Sequence, residues 1–270
     1  MTYTLITGAS GGIGQALASK LAAKKHNLVL VARSAEKLAL LSQQLQADYG
    51  VQVTFIAADL SKPDAPHHIY SKTQKHNWEI DLLVNNAGIG SGGEFATLSL
   101  QSELDLLQLN NASLVAMTHL FLQPMRERRK GQIINVASMT AFMPVPYMAT
   151  YAASKVFVRS FTEALTEECK PYGIDVLLFA PGLTRTNFNE AAGINNEKAV
   201  GLSSDYKTAD AQTPDEVAQE LVEALAAKKR FHVAGSKNRF GARLLTLLPN
   251  AMIAQYMASS YQKKLAKTAN

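Results

Sequence analysis

Tyr151 and Lys155 lie four residues apart in the run Tyr151-Ala152-Ala153-Ser154-Lys155, a spacing that puts both side chains on one face of a helix. An ammonium beside a phenol favours the phenolate and pulls its pKa down from an ordinary value of about 10. Carrying it to neutrality takes about 4 kcal/mol of differential stabilisation. A phenol tuned in this way gives a proton to a carbonyl oxygen as it becomes an alcohol, or takes one in the reverse direction. Any one tyrosine has about a one in twenty chance of a lysine at a given offset. Tyr151 is the only one of nine tyrosines with a lysine four residues on, but the pair by itself is weak evidence. Its weight comes from the company it keeps.

Near the chain start, Thr7-Gly8-Ala9-Ser10-Gly11-Gly12-Ile13-Gly14 joins a strand-like run to a helical one. Glycines there permit a tight turn, let the backbone approach a pyrophosphate, and aim a helix N-terminus at the anion. Two spacings fit, one through Gly8, Gly12 and Gly14 and one through Gly8, Gly11 and Gly14, because Gly11 and Gly12 are adjacent. In such a dinucleotide site the second strand ends at the adenosine ribose, where an acidic residue selects the 2′-hydroxyl of NAD and an arginine accommodates the 2′-phosphate of NADP. Here the strand ends Val31-Ala32-Arg33-Ser34. Ala32 takes the acidic position, and the guanidinium of Arg33 can hold a phosphate bidentately, so the expected cofactor is NADP(H).

Taken together these motifs resemble the short-chain dehydrogenase/reductase family in its compact form. The loop at 7–14 matches T-G-x-x-x-G-x-G; Asn85-Asn86-Ala87-Gly88 follows the fourth strand, Asp59-Leu60 ends the third, and Ser138 follows the fifth. Tyr151 and Lys155 come next, and Pro181-Gly182 follows the sixth strand, so the resemblance runs from residue 4 to about 186. It implies that Tyr151 is the general acid/base and that Ser138 hydrogen-bonds the substrate oxygen. By the same resemblance Lys155 holds the nicotinamide ribose and joins the oxidised nicotinamide in lowering the phenol's pKa, and Asn110 holds a water on a proton relay, with Asn111 beside it open to confusion. Gly8, Ser10, Gly12, Ile13, Gly14, Arg33, Asp59, Leu60, Asn86, Ala87 and Gly88 would line the cofactor, together with Tyr151 and Lys155. Pro181, Gly182, Leu183 and Thr186 would meet its carboxamide and phosphates. One departure stands out: many NADP-using members carry a basic residue just before the second motif glycine, where this chain has Gly11. Members commonly form dimers or tetramers through the helices that carry Asn110 and Tyr151, which implies a homodimer or homotetramer.

The elements that must position these residues alternate β and α from the first residue. Strands are predicted at 3–7, 28–32, 52–57, 81–85, 132–137, 174–180 and 231–234, and helices at 36–48 and 102–127. Another helix is predicted from Thr213-Pro214-Asp215-Glu216, which forms a capping box. The predicted fold is α/β: a doubly wound, Rossmann-type parallel sheet of about seven strands with helices on both faces, in one domain spanning 1–270. Residues 187–212 are polar, lack periodicity and exceed ordinary loop length, as a substrate lid would. Phe142 to Tyr147 are mostly apolar, and they suit either the wall of a pocket for a lipophilic carbonyl or alcohol, such as a 3-oxoacyl or steroid-like ketone, or a loop packed on its own core.

Composition removes other classes. The single cysteine, Cys169, excludes an intrachain disulfide and a thiolate metal cluster and reads as a small buried side chain. The six histidines show no ligand spacing, so no metal is expected. The start lacks signal-peptide character, and no apolar run reaches the roughly 20 residues of a membrane span, so a cytoplasmic protein is expected. Of the net charge of +5, residues 1–223 contribute 18 basic against 22 acidic side chains, whereas 224–270 hold nine basic and none acidic. Basicity confined to the tail argues against a nucleic-acid enzyme. Residues 236–270 form a basic amphipathic extension, helical over 239–267 with a break at Pro249, whose apolar face is expected to cover the cleft or a second subunit. An anionic membrane surface is the other partner such a helix fits. The contrasting function is a non-catalytic NADP(H)-binding sensor or scaffold, which would not need a tuned phenol.

Overall fold

In the computed structural model, residues 1–186, 188 and 211–268 are described, with the backbone alone for 263–268. The first half runs β1 (Thr2–Thr7), α1 (Gly12–Ala23), β2 (Leu28–Ala32), α2 (Ala35–Tyr49), β3 (Val53–Ala57), α3 (Ala65–Lys75) and β4 (Glu79–Asn85). There follow α4 (Leu100–Leu107), a π turn (Gln108–Ala112), α5 (Ser113–Glu127), β5 (Gly131–Val136), α6 (Ala149–Cys169) and β6 (Ile174–Ala180). The described remainder holds α7 (Pro214–Ala226), β7 (Phe231–Val233), α8 (Ser236–Leu245) and α9 (Asn250–Thr268).

All seven strands pair in parallel in the order β3-β2-β1-β4-β5-β6-β7. The chain winds outward from β1 to β3, then returns to lay β4 along the other side of β1. The crevice beyond the carboxyl ends of β1 and β4 is therefore the topological switch point. Successive strand residues point to opposite faces. Ile6, Leu28 and Leu30 pack with Leu17 and Leu21 of α1 and Val217 and Leu221 of α7. Leu5, Val29 and Val31 pack on the other face with Ile69 of α3, Phe121 of α5 and Leu165 of α6. Helices cover both faces, which is why the strands read as continuous apolar runs rather than alternating ones. The doubly wound sheet matches the fold expected from the sequence.

Local chemistry sets the helix ends. Ser34 caps α2 by accepting from the Lys37 N–H at 3.3 Å, and α2 ends at Gly50, whose φ of 63° is left-handed. The expected capping box opens α7: Thr213 Oγ1 accepts from Glu216 N at 3.2 Å and the Glu216 carboxylate accepts from Thr213 N at 2.7 Å. One helix differs from expectation in detail: the 102–127 helix is interrupted by the π turn. The tail helix breaks at Pro249 into α8 and α9, as its sequence leads one to expect. Most of the segment 187–212 read as a lid lies outside the described residues; of its described members, Gln212 returns beside Leu183 and Thr184, its N–H donating to Leu183 O at 3.0 Å. Among the described residues no helix is long and apolar enough to cross a membrane.

Candidate active site

The loop between β1 and α1 takes its shape from its glycines. Gly8 and Gly12 adopt φ of +68° and +54°, a region that side chains disfavour. Gly14 is held by space: a Cβ there would fall 2.3 Å from Gly8 O. Gly11 is extended, with open space around it, so the working spacing is Gly8, Gly12, Gly14. Asn86 fastens the loop from below, its Nδ2 donating to Thr7 O at 2.9 Å and to Gly8 O at 3.4 Å. Thr7 Oγ1 in turn accepts from the N–H groups of Asn86 and Ala87, both at 2.9 Å. Ser10 and Ile13 flank this turn, partly exposed, at the start of α1. The first turn of α1 thus faces the crevice without a side-chain cap, a backbone cradle that fits a pyrophosphate.

Arg33 is exposed at the end of β2, and Leu60 is buried beyond β3. Partial burial works against the charge of Asp59, but the Ser61 N–H and hydroxyl, at 3.0 and 2.9 Å, together with nearby Arg33 and Lys62, hold its carboxyl below the usual range.

Tyr151 and Lys155 sit one turn apart on α6, both buried, with the Lys155 ammonium 5.9 Å from the phenol ring centre. Lys155 Nζ donates to Val136 O at 3.1 Å, and burial lowers its pKa to about 8. Asn110 approaches from the π turn, which brings both Asn110 and Asn111 inward. A Cβ on Gly88 would lie 3.1 Å from Asn110 Oδ1 and 3.4 Å from Lys155 Nζ. A larger residue there would crowd two polar side chains that converge on its bare backbone. Asn110 Nδ2 donates to Ile89 O at 2.9 Å and Ser154 Oγ at 3.0 Å, while Oδ1 accepts from Ile89 N at 3.0 Å. A water beside Asn110 would therefore use the second Oδ1 lone pair or the main-chain carbonyl. Asn111 instead donates to Ser154 O at 2.9 Å, which separates the two asparagines. Ser138, after β5, accepts from Thr140 N at 3.2 Å and starts a 3-10 turn; Met139 N donates to Pro181 O at 2.9 Å.

Beyond β6, Pro181 is buried, Leu183 is exposed, and Thr186 reaches the glycine loop, its Cγ2 lying 3.2 Å from where a Gly12 Cβ would be. Asn238 of α8 fills the space over Gly182, at 2.1 Å from a hypothetical Cβ, and donates to Ala234 O at 2.8 Å. The segment between Ser138 and Tyr151 divides. Phe142 is core, beneath the Arg159 guanidinium at 4.5 Å and beside Phe231, whereas Tyr147 is partly exposed and meets Tyr261 of α9 with ring centres 6.0 Å apart. Phe188 lies 5.8 Å from the Tyr151 ring.

A family model described as short chain dehydrogenase matches residues 2–197. The chain belongs to the short-chain dehydrogenase family. Among this family's members, the chain is 32% identical over 268 residues to the dehydrogenase/reductase SDR family member 7B of Bos taurus, covering 96% of this chain and 81% of that one. It is 34% identical to the 17-beta-hydroxysteroid dehydrogenase type 3 of Homo sapiens, covering 82% and 73%. A shorter match, 34% identical over 65% of this chain and 52% of the other, is a very-long-chain 3-oxoacyl-CoA reductase of Phaeosphaeria nodorum. Among solved structures, a short-chain dehydrogenase from Sphingobium yanoikuyae in complex with NADPH superposes with a TM-score of 0.80 at 28% identity, covering 90% and 91% of the two chains. A member from Burkholderia phymatum in complex with NAD shares the fold at a TM-score of 0.81 and 24% identity. As a short-chain dehydrogenase, the chain is an oxidoreductase that binds a nicotinamide cofactor.

Sequence reasoning did not single out every residue that shapes this short-chain dehydrogenase site. Ser154, bonded to Asn110 and donating to Tyr151 O at 2.7 Å, is hidden inside the Tyr-Lys motif as one of its unspecified positions. Asn238 and Phe188 carry no local signal, since only the folded contact with Gly182 or Tyr151 reveals them. The buried row Thr118–Asn85–Asn135–Thr162, with links of 2.9, 2.9 and 3.1 Å, ties α5, β4, β5 and α6 beneath the crevice. Asn85 was legible as part of a motif; its partners were not.

Proposed function

We propose that this short-chain dehydrogenase uses NADP(H) to interconvert an apolar ketone, of steroid-like or long-chain 3-oxoacyl type, and its alcohol. The observation that carries the reading is the convergence of Lys155 and Asn110 on Gly88, with the Tyr151 ring 5.9 Å from the Lys155 ammonium. Bound there, the cofactor would supply or accept the hydride, held by the Gly8–Gly14 loop, Asn86, Lys155 and Thr186, with its 2′-phosphate on Arg33. In the reductive direction Tyr151 donates its phenolic proton to the substrate oxygen while the Ser138 hydroxyl donates a hydrogen bond to it. The Lys155 ammonium, on the same helix face, favours the phenolate left behind. Asn110 positions water to return the proton. Phe188 and Tyr147 give the substrate side an aromatic lining, and the names of the steroid and 3-oxoacyl relatives support an apolar substrate. Exposed Leu100 and Leu104 on α4 and Val156 and Phe157 on α6 support pairing of subunits through these helices.

The test is NADPH oxidation against a panel of aldehydes, steroid ketones and 3-oxoacyl thioesters. Turnover of bulky apolar ketones is expected. Tight NADPH binding with no turnover on any carbonyl would favour a cofactor-sensing protein instead.

A further inference from the structure

The two tail helices present an apolar surface that the oxidoreductase reading leaves unused. Phe240, Leu244, Leu247, Leu248, Met252 and Tyr256 are all exposed, Leu247 by 79% and Tyr256 by 76%. They recur at helical spacing along α8, through the turn, and into α9. The helices are seated by other residues. Ala242 and Ile253 are buried, Asn238 is lodged over Gly182, and Arg239 pairs with the Glu220 carboxylate at 2.7 Å. The outward apolar face is thus fixed by the inner contacts rather than left over from a loose helix.

Its charge is one-sided. Residues 236–268 hold six basic and no acidic side chains, and of these Arg239 is paired with Glu220. Exposed Arg243 lies among the apolar residues of α8, and Lys263, Lys264 and Lys267 follow in the last turns of α9. A twofold contact with a second copy sets a patch against itself, and here it would set cations against cations. An anionic lipid surface satisfies both features, because apolar side chains enter the acyl boundary while cations meet the headgroups. We propose that α8 and α9 rest on an anionic membrane surface, lying on it rather than spanning it. The contact of Tyr261 with Tyr147 would then hold the side of the crevice where apolar substrates enter close to that surface.

The test is co-sedimentation of the full chain with vesicles of phosphatidylcholine alone or mixed with phosphatidylserine. Binding is expected to the mixed vesicles and to weaken in high salt. Leu247→Gln with Met252→Gln, which removes apolar surface and keeps every charge, should weaken it by about tenfold or more. Arg243→Gln should weaken it by about fivefold. NADPH binding, unchanged in both variants, shows that they fold. The proposal is overturned if the wild type ignores mixed vesicles, if the double variant binds them equally well, or if that variant lowers the sedimentation mass without lipid, which would make the face a subunit interface.

Discussion

Lys155 shows the opposition between stability and function most sharply. Folding buries its ammonium and lowers its pKa from 10.5 to about 8, a cost of about 3 kcal/mol at neutral pH, partly offset by the bond to Val136 O. Below pH 8 the folded chain carries that cost in full; it fades as pH rises towards the unfolded value. Lys155→Met is therefore predicted to raise unfolding stability at pH 7 by about 1–2 kcal/mol while abolishing turnover, with the stability gain closing at high pH. Denaturant melts of the cofactor-free protein across pH check this, and a loss of stability would contradict the burial account. Arg33 is predicted to contribute about 1.5–3 kcal/mol through its hydrogen bonds to the 2′-phosphate, so Arg33→Ala should cut the NADPH-to-NADH preference in kcat/KM roughly ten- to hundredfold. An unchanged ratio would place the phosphate elsewhere. These residues were legible in the sequence because each belongs to a short motif, Lys155 to a four-residue spacing on a helix and Arg33 to the end of a strand. Asn238 was not, because its role exists only once α8 lies over Gly182.

At the scale of elements, what joins α7, β7 and α8 is one carboxylate. Glu220 accepts from Gln212 Nε2 and Gly235 N at 2.9 Å and from Arg239 at 2.7 Å, and pairs with His232 at 2.9 Å. Burial opposes its charge, but these four partners prevail and hold its pKa at about 2. A depressed carboxylate contributes stability above its unfolded pKa and loses it as pH falls through the folded value. Glu220→Gln should thus cost about 2–3 kcal/mol at neutral pH, and the gap between variant and wild type should shrink between pH 4.5 and about 2. Urea titrations over that range measure it, and a pH-independent gap would contradict the assignment. None of this was visible in the sequence, since partners 12 and 19 residues away in separate elements leave no periodic trace. The π turn was equally silent: residues 102–127 read as a continuous helical pattern, and only the inward pairing of Asn110 and Asn111 shows the wider turn. The capping box of α7, by contrast, could be read directly because its partners are three residues apart.

At the scale of the whole molecule, a parallel sheet covered on both faces made the strands easy to find, because burial on both sides leaves short apolar runs between polar turns. The glycine loop after β1 and Asn86-Ala87-Gly88 after β4 were legible as motifs; that these two strands lie side by side and flank the switch point emerged only from the folded sheet. What the pattern could not convey was how the tail sits, with Asn238 and Arg239 turned inward and the leucines outward. The central claim is that this architecture assembles a proton-transfer site on Tyr151, and the most direct measurement compares wild type with Tyr151→Phe on one apolar ketone, following NADPH oxidation and NADPH affinity together. The account predicts that turnover falls by about 10²–10⁴-fold while NADPH affinity stays within about twofold. Turnover that survives the substitution would contradict it.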